Sequence, residues 1–237
     1  MKPIGVTQRV VCEPREVRLA LDVRWSGFLA ACGLFAVPLP IEPDIAWSVV
    51  RRTRCVGLLL SGGNDLGSVP ERDTLEYGLV SNAMAAELPV IGVCRGMQVL
   101  LSAFGGELHR VEGHVAQTHP VSTGRMVNSY HEWAAFEAPE EFLVTERCGA
   151  VVEAIRHRTA PLTGIMWHPE RMSPFDEQDL AFFMETFGSS HEGRHSRGRT
   201  RIPHGSAHRR SSEVPAQDRR AHATGTPGGG PADGRRR

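Results

Sequence analysis

The sequence predicts an α/β fold in which a mostly parallel central sheet carries helices on both faces. Three observations point that way. Strand-like and helix-like segments alternate through the first half of the chain. Cys55 to Leu60 (CVGLLL) is a continuous apolar run, as expected of a strand covered on both sides of a parallel sheet. Leu88 to Gly106 (LPVIGVCRGMQVLLSAFGG) reads as a strand, a sharp turn and a helix with a cysteine at the bend.

Taken in order, Ile4 to Thr7 is the first predicted strand. Val17 to Ala31 follows as a helix with Val17, Leu21, Trp25 and Phe28 on one face, and Gly33 ends it. Phe35 to Leu39 is a strand closed by Pro38 and Pro40, and Ala46 to Arg54 a short helix. The Cys55 strand opens into SGGNDLG. Asp73 to Ala86 is the next helix, with Asp73 as its cap, and it leads to the Val90 to Val93 strand. Met97 to Phe104 carries apolar residues at helical spacing until Gly105 and Gly106 stop it. Shorter elements then take over: strands at Glu107 to Val111 and Val115 to Val121, and a loop, VNSYHEW, at Val127 to Trp133. Further strands are Phe142 to Arg147, Val151 to Ile155 and Leu162 to Trp167, the last two forming a hairpin around Arg158 to Pro161. Gln178 to Phe187 is a closing helix that packs through Leu180, Phe183, Met184 and Phe187.

The formal charge of zero over 237 residues hides a division. From Ser189 onward there are 11 Arg and 4 acidic residues, so residues 1–188 carry about −7 and the tail about +7. The tail is rich in Gly, Pro, Ser, Arg and His and poor in large apolar residues, which predicts disorder from 189 to 237 and one folded domain over 1–188. A solvated tail accounts for this composition, and nucleic-acid binding is not expected. Five cysteines, at 12, 32, 55, 94 and 148, form no Cys-x-x-Cys pair, which fits a reducing cytoplasm. No apolar run approaches the length of a membrane span.

Cys94 sits in GVCRG, where Gly92 and Gly96 make room for a tight turn. The sulfur would then stand exposed at a helix N-terminus, where the dipole favours thiolate and free N–H groups await an oxyanion. Read alone, Cys94 could equally be a small buried hydrophobe. A nucleophilic cysteine needs a base, and the base an orienting group. His168 and Glu170 supply both, following TGIMW at a sheet end, where a His-x-Glu spacing would put both side chains on one face. The oxyanion donors would be the N–H of Arg95 and one from the Gly62–Gly63 loop. Arg9, Arg95 and Arg125 are candidate cations near the mouth. Metal chemistry is not expected: His131 and Glu132 begin a His-Glu-x-x pattern, but Ala135 stands where the second ligand is needed. His114 and His119 have no carboxylate or cysteine cluster beside them in sequence.

GVCRGMQ, SGGND, VNSYH and GIMWHPE together resemble the class I glutamine amidotransferase-like hydrolases, in the free-standing γ-glutamyl hydrolase branch. The resemblance implies a flavodoxin-like class I glutamine amidotransferase fold and a triad of Cys94, His168 and Glu170. It implies oxyanion contacts at Gly63 and Arg95, a γ-glutamyl grip from Gln98, Ser129 and Tyr130, and no cofactor or metal. Arg95, where synthase-coupled members usually carry Leu or Tyr, is typical of γ-glutamyl hydrolases. MKPIGVTQR, DVRWSGFL, PLPIEP, SGGNDL and VNSYHEW are similar to the γ-glutamyl-CDP-amidate hydrolases of capsule phosphoramidate modification, which release glutamate and cytidine diphosphoramidate. The expected partner is therefore a small γ-glutamyl substrate, with no membrane and with a homodimer left open. The alternatives are a γ-glutamyl-γ-aminobutyrate hydrolase, a glutaminase subunit serving a separate synthase, and a catalytically silent binding module.

Overall fold

The computed structural model describes residues 1–188; the predicted disorder of 189–237, and the boundary placed there, lie outside the described residues. The elements in order are β1 (Lys2–Val6), β2 (Arg9–Glu13), β3 (Glu16–Ala20), α1 (Arg24–Ala31), β4 (Leu34–Pro38) and α2 (Pro43–Arg52). β5 (Leu58–Leu60), α3 (Pro70–Ala85), β6 (Val90–Val93) and α4 (Arg95–Ala103) follow. Then come β7 (His109–Arg110), β8 (Val115–Pro120), β9 (Met126–Tyr130), β10 (Trp133–Ala134), β11 (Phe142–Cys148), β12 (Val151–His157) and β13 (Leu162–Ile165). A 3₁₀ turn at Pro169–Arg171 leads towards α5 (Glu177–Gly188).

Seven strands form the main sheet in the order β11-β12-β13-β6-β5-β1-β4. Five run parallel, from β4 to β13, and β12 and β11 extend the sheet antiparallel. β5 shows why it is apolar throughout. Leu58 and Leu60 pack on one side with Leu75, Leu79 and Leu100 from α3 and α4, while Leu59 packs on the other with Phe28, Phe183 and Phe187 from α1 and α5. The period of two in side-chain direction thus sends one run into two cores.

Several elements differ from expectation. Val17 to Leu21 is not helical: Val17 is 70% exposed and pairs with Cys12 in the β2–β3 hairpin. Pro14 and the alternating RVVCE and EVRLA segments make that hairpin, and the helical spacing of Val17 and Leu21 with Trp25 was coincidental. The helices α2 and α3 begin earlier, each with a proline in its first turn, where a missing N–H costs nothing. Asp73 is consequently inside α3 and does not cap it. Only Leu58–Leu60 of the CVGLLL run is strand. The predicted VNSYHEW loop is instead β9 and β10. Met184 is 44% exposed, on the outer side of α5 from Phe183 and Phe187.

Candidate active site

β6 delivers the chain to a bend that only small residues allow. A Cβ on Gly92 would lie 2.5 Å from the carbonyl carbon and oxygen of Gly96, and one on Gly96 would lie 2.0 Å from the carbonyl oxygen of Leu60. Between them Cys94 adopts φ 52° and ψ −108°. A non-glycine residue in this conformation is strained, and the surrounding packing holds it there. The Cys94 N–H donates to the Ile165 carbonyl at 2.7 Å, and its own carbonyl accepts from Met97 and Gln98 at the start of α4. Contrary to expectation, Cys94 is not openly exposed: it is 7% accessible, at the base of a cavity of about 280 Å³. The turn carries the sulfur to a cleft floor and not to the surface.

β13 runs beside β6, with Ile165 opposite Val93, and so brings His168 to the same end of the sheet. The His168 ring Nδ1 is 2.7 Å from Glu170 Oε1, and both residues are buried. They meet across the 3₁₀ turn, not along one face of an extended strand as the spacing suggested. On the other side the ring lies near Cys94: a Cβ built on Gly62 would touch His168 Cε1 and Cys94 Cβ at once, at 2.7 and 3.5 Å. Burial alone would lower the His168 pKa. The charged sulfur of Cys94 and its hydrogen bond, reinforced by Glu170, outweigh that and raise it to about 9.

Asn128 is a residue that sequence reasoning missed. Its Oδ1 accepts from the His168 N–H and its Nδ2 donates to the His168 carbonyl, both at 2.8 Å. β9 thereby clamps the main chain that carries the imidazole. The neighbouring Tyr130 meets the His168 ring edge-on at 5.7 Å, and the Arg171 guanidinium lies 4.5 Å from the Tyr130 ring centre.

The SGGND loop is held from beneath by a second unforeseen group. Arg72, fully buried on α3, donates to the carbonyls of Ser61 (2.8 Å), Gly62 (3.1 Å) and Gly63. In a trans peptide the N–H points opposite to the preceding carbonyl, so the N–H groups of Gly63 and Asn64 are turned away from Arg72. Both residues line the cavity. Glu76 accepts from Arg72 and from Arg95, and Asp73 also accepts from Arg95. Burial pulls the pKa values of both arginines down to about 10, which leaves them charged at neutral pH.

These pairings revise the candidate cations. The Arg95 side chain is spent below the cavity on Asp73 and Glu76, although its main chain opens α4, where the first N–H groups have no intrahelical partner. Arg125 is tied to Asp179 at 2.6 Å and Asp176 at 3.2 Å. Arg9 alone of the three remains exposed, its stem against Gly63, where the Asn64 side chain fastens β2 to the loop through both polar groups of Val10. Of the predicted substrate contacts, Gln98 and Tyr130 line the cavity, and the Gln98 Nε2 donates to the Trp133 carbonyl at 2.8 Å. Ser129 does not: it is fully buried, and its hydroxyl donates to the His114 carbonyl at 2.6 Å. His114 and His119 are also less isolated than their sequence neighbours implied, for the fold brings His131, Glu153 and Cys148 to them.

A mostly parallel sheet ending in a strained cysteine elbow beside a paired histidine defines a flavodoxin-like class I glutamine amidotransferase fold. The chain belongs to the glutamine amidotransferase class-I family, whose model matches residues 32–186, a family of amide-bond hydrolases. It is 32% identical over 184 residues to a γ-glutamyl-CDP-amidate hydrolase of Campylobacter jejuni subsp. jejuni serotype O:2, covering 71% of this chain and 90% of that protein. It is 30% identical over 150 residues to a glutamine-hydrolyzing GMP synthase subunit of Methanopyrus kandleri, covering 56% of this chain and 76% of the relative. The crystal structure of a candidate GMP synthase subunit from Thermoplasma acidophilum shares the fold, with a TM-score of 0.64 at 19% identity over 79% of this chain and 93% of that one.

The raised His168 pKa sets an expected pH dependence. Its folded value of about 9 lies above the ordinary 6.5. The stabilisation from the charged imidazole is therefore fully present below pH 6.5 and is lost as pH rises through about 9. Titration of the His168 ring protons followed by NMR should give a midpoint near 9 in the native chain and a lower one in Cys94→Ala. An identical midpoint in both would show that the sulfur does not act on the ring.

Proposed function

We propose that the chain is a cysteine hydrolase that cleaves γ-glutamyl amides, with γ-glutamyl-CDP-amidate as the substrate and glutamate and cytidine diphosphoramidate as products. The observation that carries the chemistry is the buried His168–Glu170 pair at 2.7 Å beside the strained Cys94. The reaction needs the Cys94 thiolate, with His168 beside it as the partner that exchanges protons. Cys94 Sγ attacks the γ-carbonyl carbon, and negative charge moves to the oxygen, which the N–H groups of Gly63 and Arg95 receive. As the carbonyl reforms, the C–N bond breaks and His168 gives its proton to the leaving nitrogen. His168 then takes a proton from water, the resulting hydroxide attacks the glutamyl thioester, and the C–S bond breaks to release glutamate and restore the thiolate. Glu170 orients the ring throughout.

The substrate assignment is supported by the Campylobacter jejuni relative, which aligns over 90% of its own length, and by Arg9, an exposed cation whose stem lies against Gly63 of the cavity wall and which suits a diphosphate. The Methanopyrus kandleri relative favours a second reading, a glutaminase subunit that passes ammonia to a synthase. The isolated chain should release glutamate fastest from γ-glutamyl-CDP-amidate, more slowly from γ-glutamyl-γ-aminobutyrate and least from glutamine. Arg9→Ala should raise KM for the first about tenfold and leave the second unchanged. Preference for glutamine, or activity only with an added synthase, would favour the second reading.

A further inference from the structure

Beside the cavity, which His131 helps to line, lies a cluster that the proposed chemistry does not use. His114 precedes β8, His119 lies in β8, His131 follows β9, and Glu153 is in β12. All four are buried, at 8, 9, 3 and 0% accessibility. One carboxylate oxygen, Glu153 Oε1, is 3.4 Å from each of three ring nitrogens: His114 Nδ1, His119 Nε2 and His131 Nε2. None of these four atoms has a hydrogen-bond partner among the described residues.

Burying four polar atoms without partners is costly, so their arrangement requires an account. A histidine–carboxylate hydrogen bond is not that account. The same molecule makes one between His168 and Glu170, and there the atoms close to 2.7 Å. Around Glu153 no nitrogen closes in, and all three stand off equally. Zinc bonds to nitrogen and carboxylate oxygen are about 2.0–2.2 Å, so two ligand atoms at a tetrahedral angle lie about 3.3–3.5 Å apart. The 3.4 Å from Glu153 Oε1 to the His114 and His131 nitrogens is the separation expected of ligands around such an ion.

We propose that His114, His131 and Glu153, whose ligand atoms all lie within 4.8 Å of one another, form a structural divalent-metal site, with Zn²⁺ as the ion that imidazole and carboxylate ligands together select. Its role follows from where the ligands come from. His114 and His131 flank the β8–β9 hairpin and Glu153 is in the main sheet, so the ion fastens to the sheet the strand that carries Asn128 and Tyr130. His119 and Cys148, which make a second trio with His114, stand beside the site.

The test is metal binding by the purified full-length chain. Elemental analysis should find about one zinc per chain, and stripped protein titrated with Zn²⁺ against a chromophoric chelator should recover one tight equivalent. Cobalt substituted for zinc should give the strong visible bands of four-coordinate Co²⁺. His131→Ala and Glu153→Gln should weaken binding at least about tenfold, while Cys94→Ala and Cys148→Ser should not. If the ligand variants fail to fold, the native chain still decides: added zinc should raise its Tm and chelation lower it. Absence of a saturable equivalent, a six-coordinate cobalt spectrum, loss of binding in Cys94→Ala or Cys148→Ser, or unchanged affinity in folded Glu153→Gln would each overturn the proposal.

Discussion

Cys94→Ala should abolish glutamate release from every γ-glutamyl substrate, by at least about 10³-fold in kcat, while the chain still unfolds in a single cooperative transition. The replacement removes the only group proposed to bond to carbon, and His168 and Glu170 cannot substitute for it. Structural damage should be slight, because the sulfur is small and faces the cavity, and the turn around it is held by main-chain bonds to Ile165, Met97 and Gln98. Incubation with γ-glutamyl-CDP-amidate followed by glutamate assay, alongside thermal unfolding, separates the two effects. Retention of wild-type turnover would end the cysteine mechanism.

Gly96→Ala should fail for a different reason. The added methyl would lie 2.0 Å from the Leu60 carbonyl oxygen and 2.8 Å from its carbonyl carbon, and both atoms belong to the central strand β5. No flexible side chain is available to yield. The helix α4 or the strand must shift, at about 3 kcal/mol or more, and the elbow moves with it. Activity should be lost together with stability, whereas Cys94→Ala loses activity alone. Gly124→Ala is a suitable control: nothing lies within 4 Å of its Cβ position, so only the positive φ of 84° opposes it, costing about 1 kcal/mol. Denaturant unfolding of the two variants measures the contrast, and equal stabilities would remove the steric argument.

How much of this was legible in the sequence depends on how local the governing constraint is. The elbow could be read because Gly92, Cys94 and Gly96 constrain one another within five residues. The parallel sheet could be read because β5 and β6 must be apolar on both faces. The β2–β3 hairpin could not: Val17, Leu21 and Trp25 satisfy a helical spacing as well as an alternating one, and Asn64, which anchors the hairpin, is distant in sequence. Arg72 and Glu76 look like the solvated face of a helix until α3 is placed under the SGGND loop. They are then fully buried and committed to its carbonyls and to Arg95. Asn128 was hidden because its partner is the backbone of His168 and not a side chain. The histidines at 114, 119 and 131 match no ligand spacing because the carboxylate among them arrives from another strand.

The pairing of β6 with β13 has a consequence for how such a protein could change. The residues proposed to break the bond hang from two neighbouring strands that are locked together near the middle of the sheet. Arg9, proposed to meet the incoming molecule, belongs to the outlying β2–β3 hairpin instead, whereas β9 is tied to His168 through Asn128. On the proposed reading, bond cleavage and the Arg9 contact with the leaving group lie on separate stretches of polypeptide. Exchange of the β2–β3 hairpin should therefore alter the amine accepted while leaving the reach between sulfur and imidazole in place, whereas exchange of β8–β9 would release the clamp on His168.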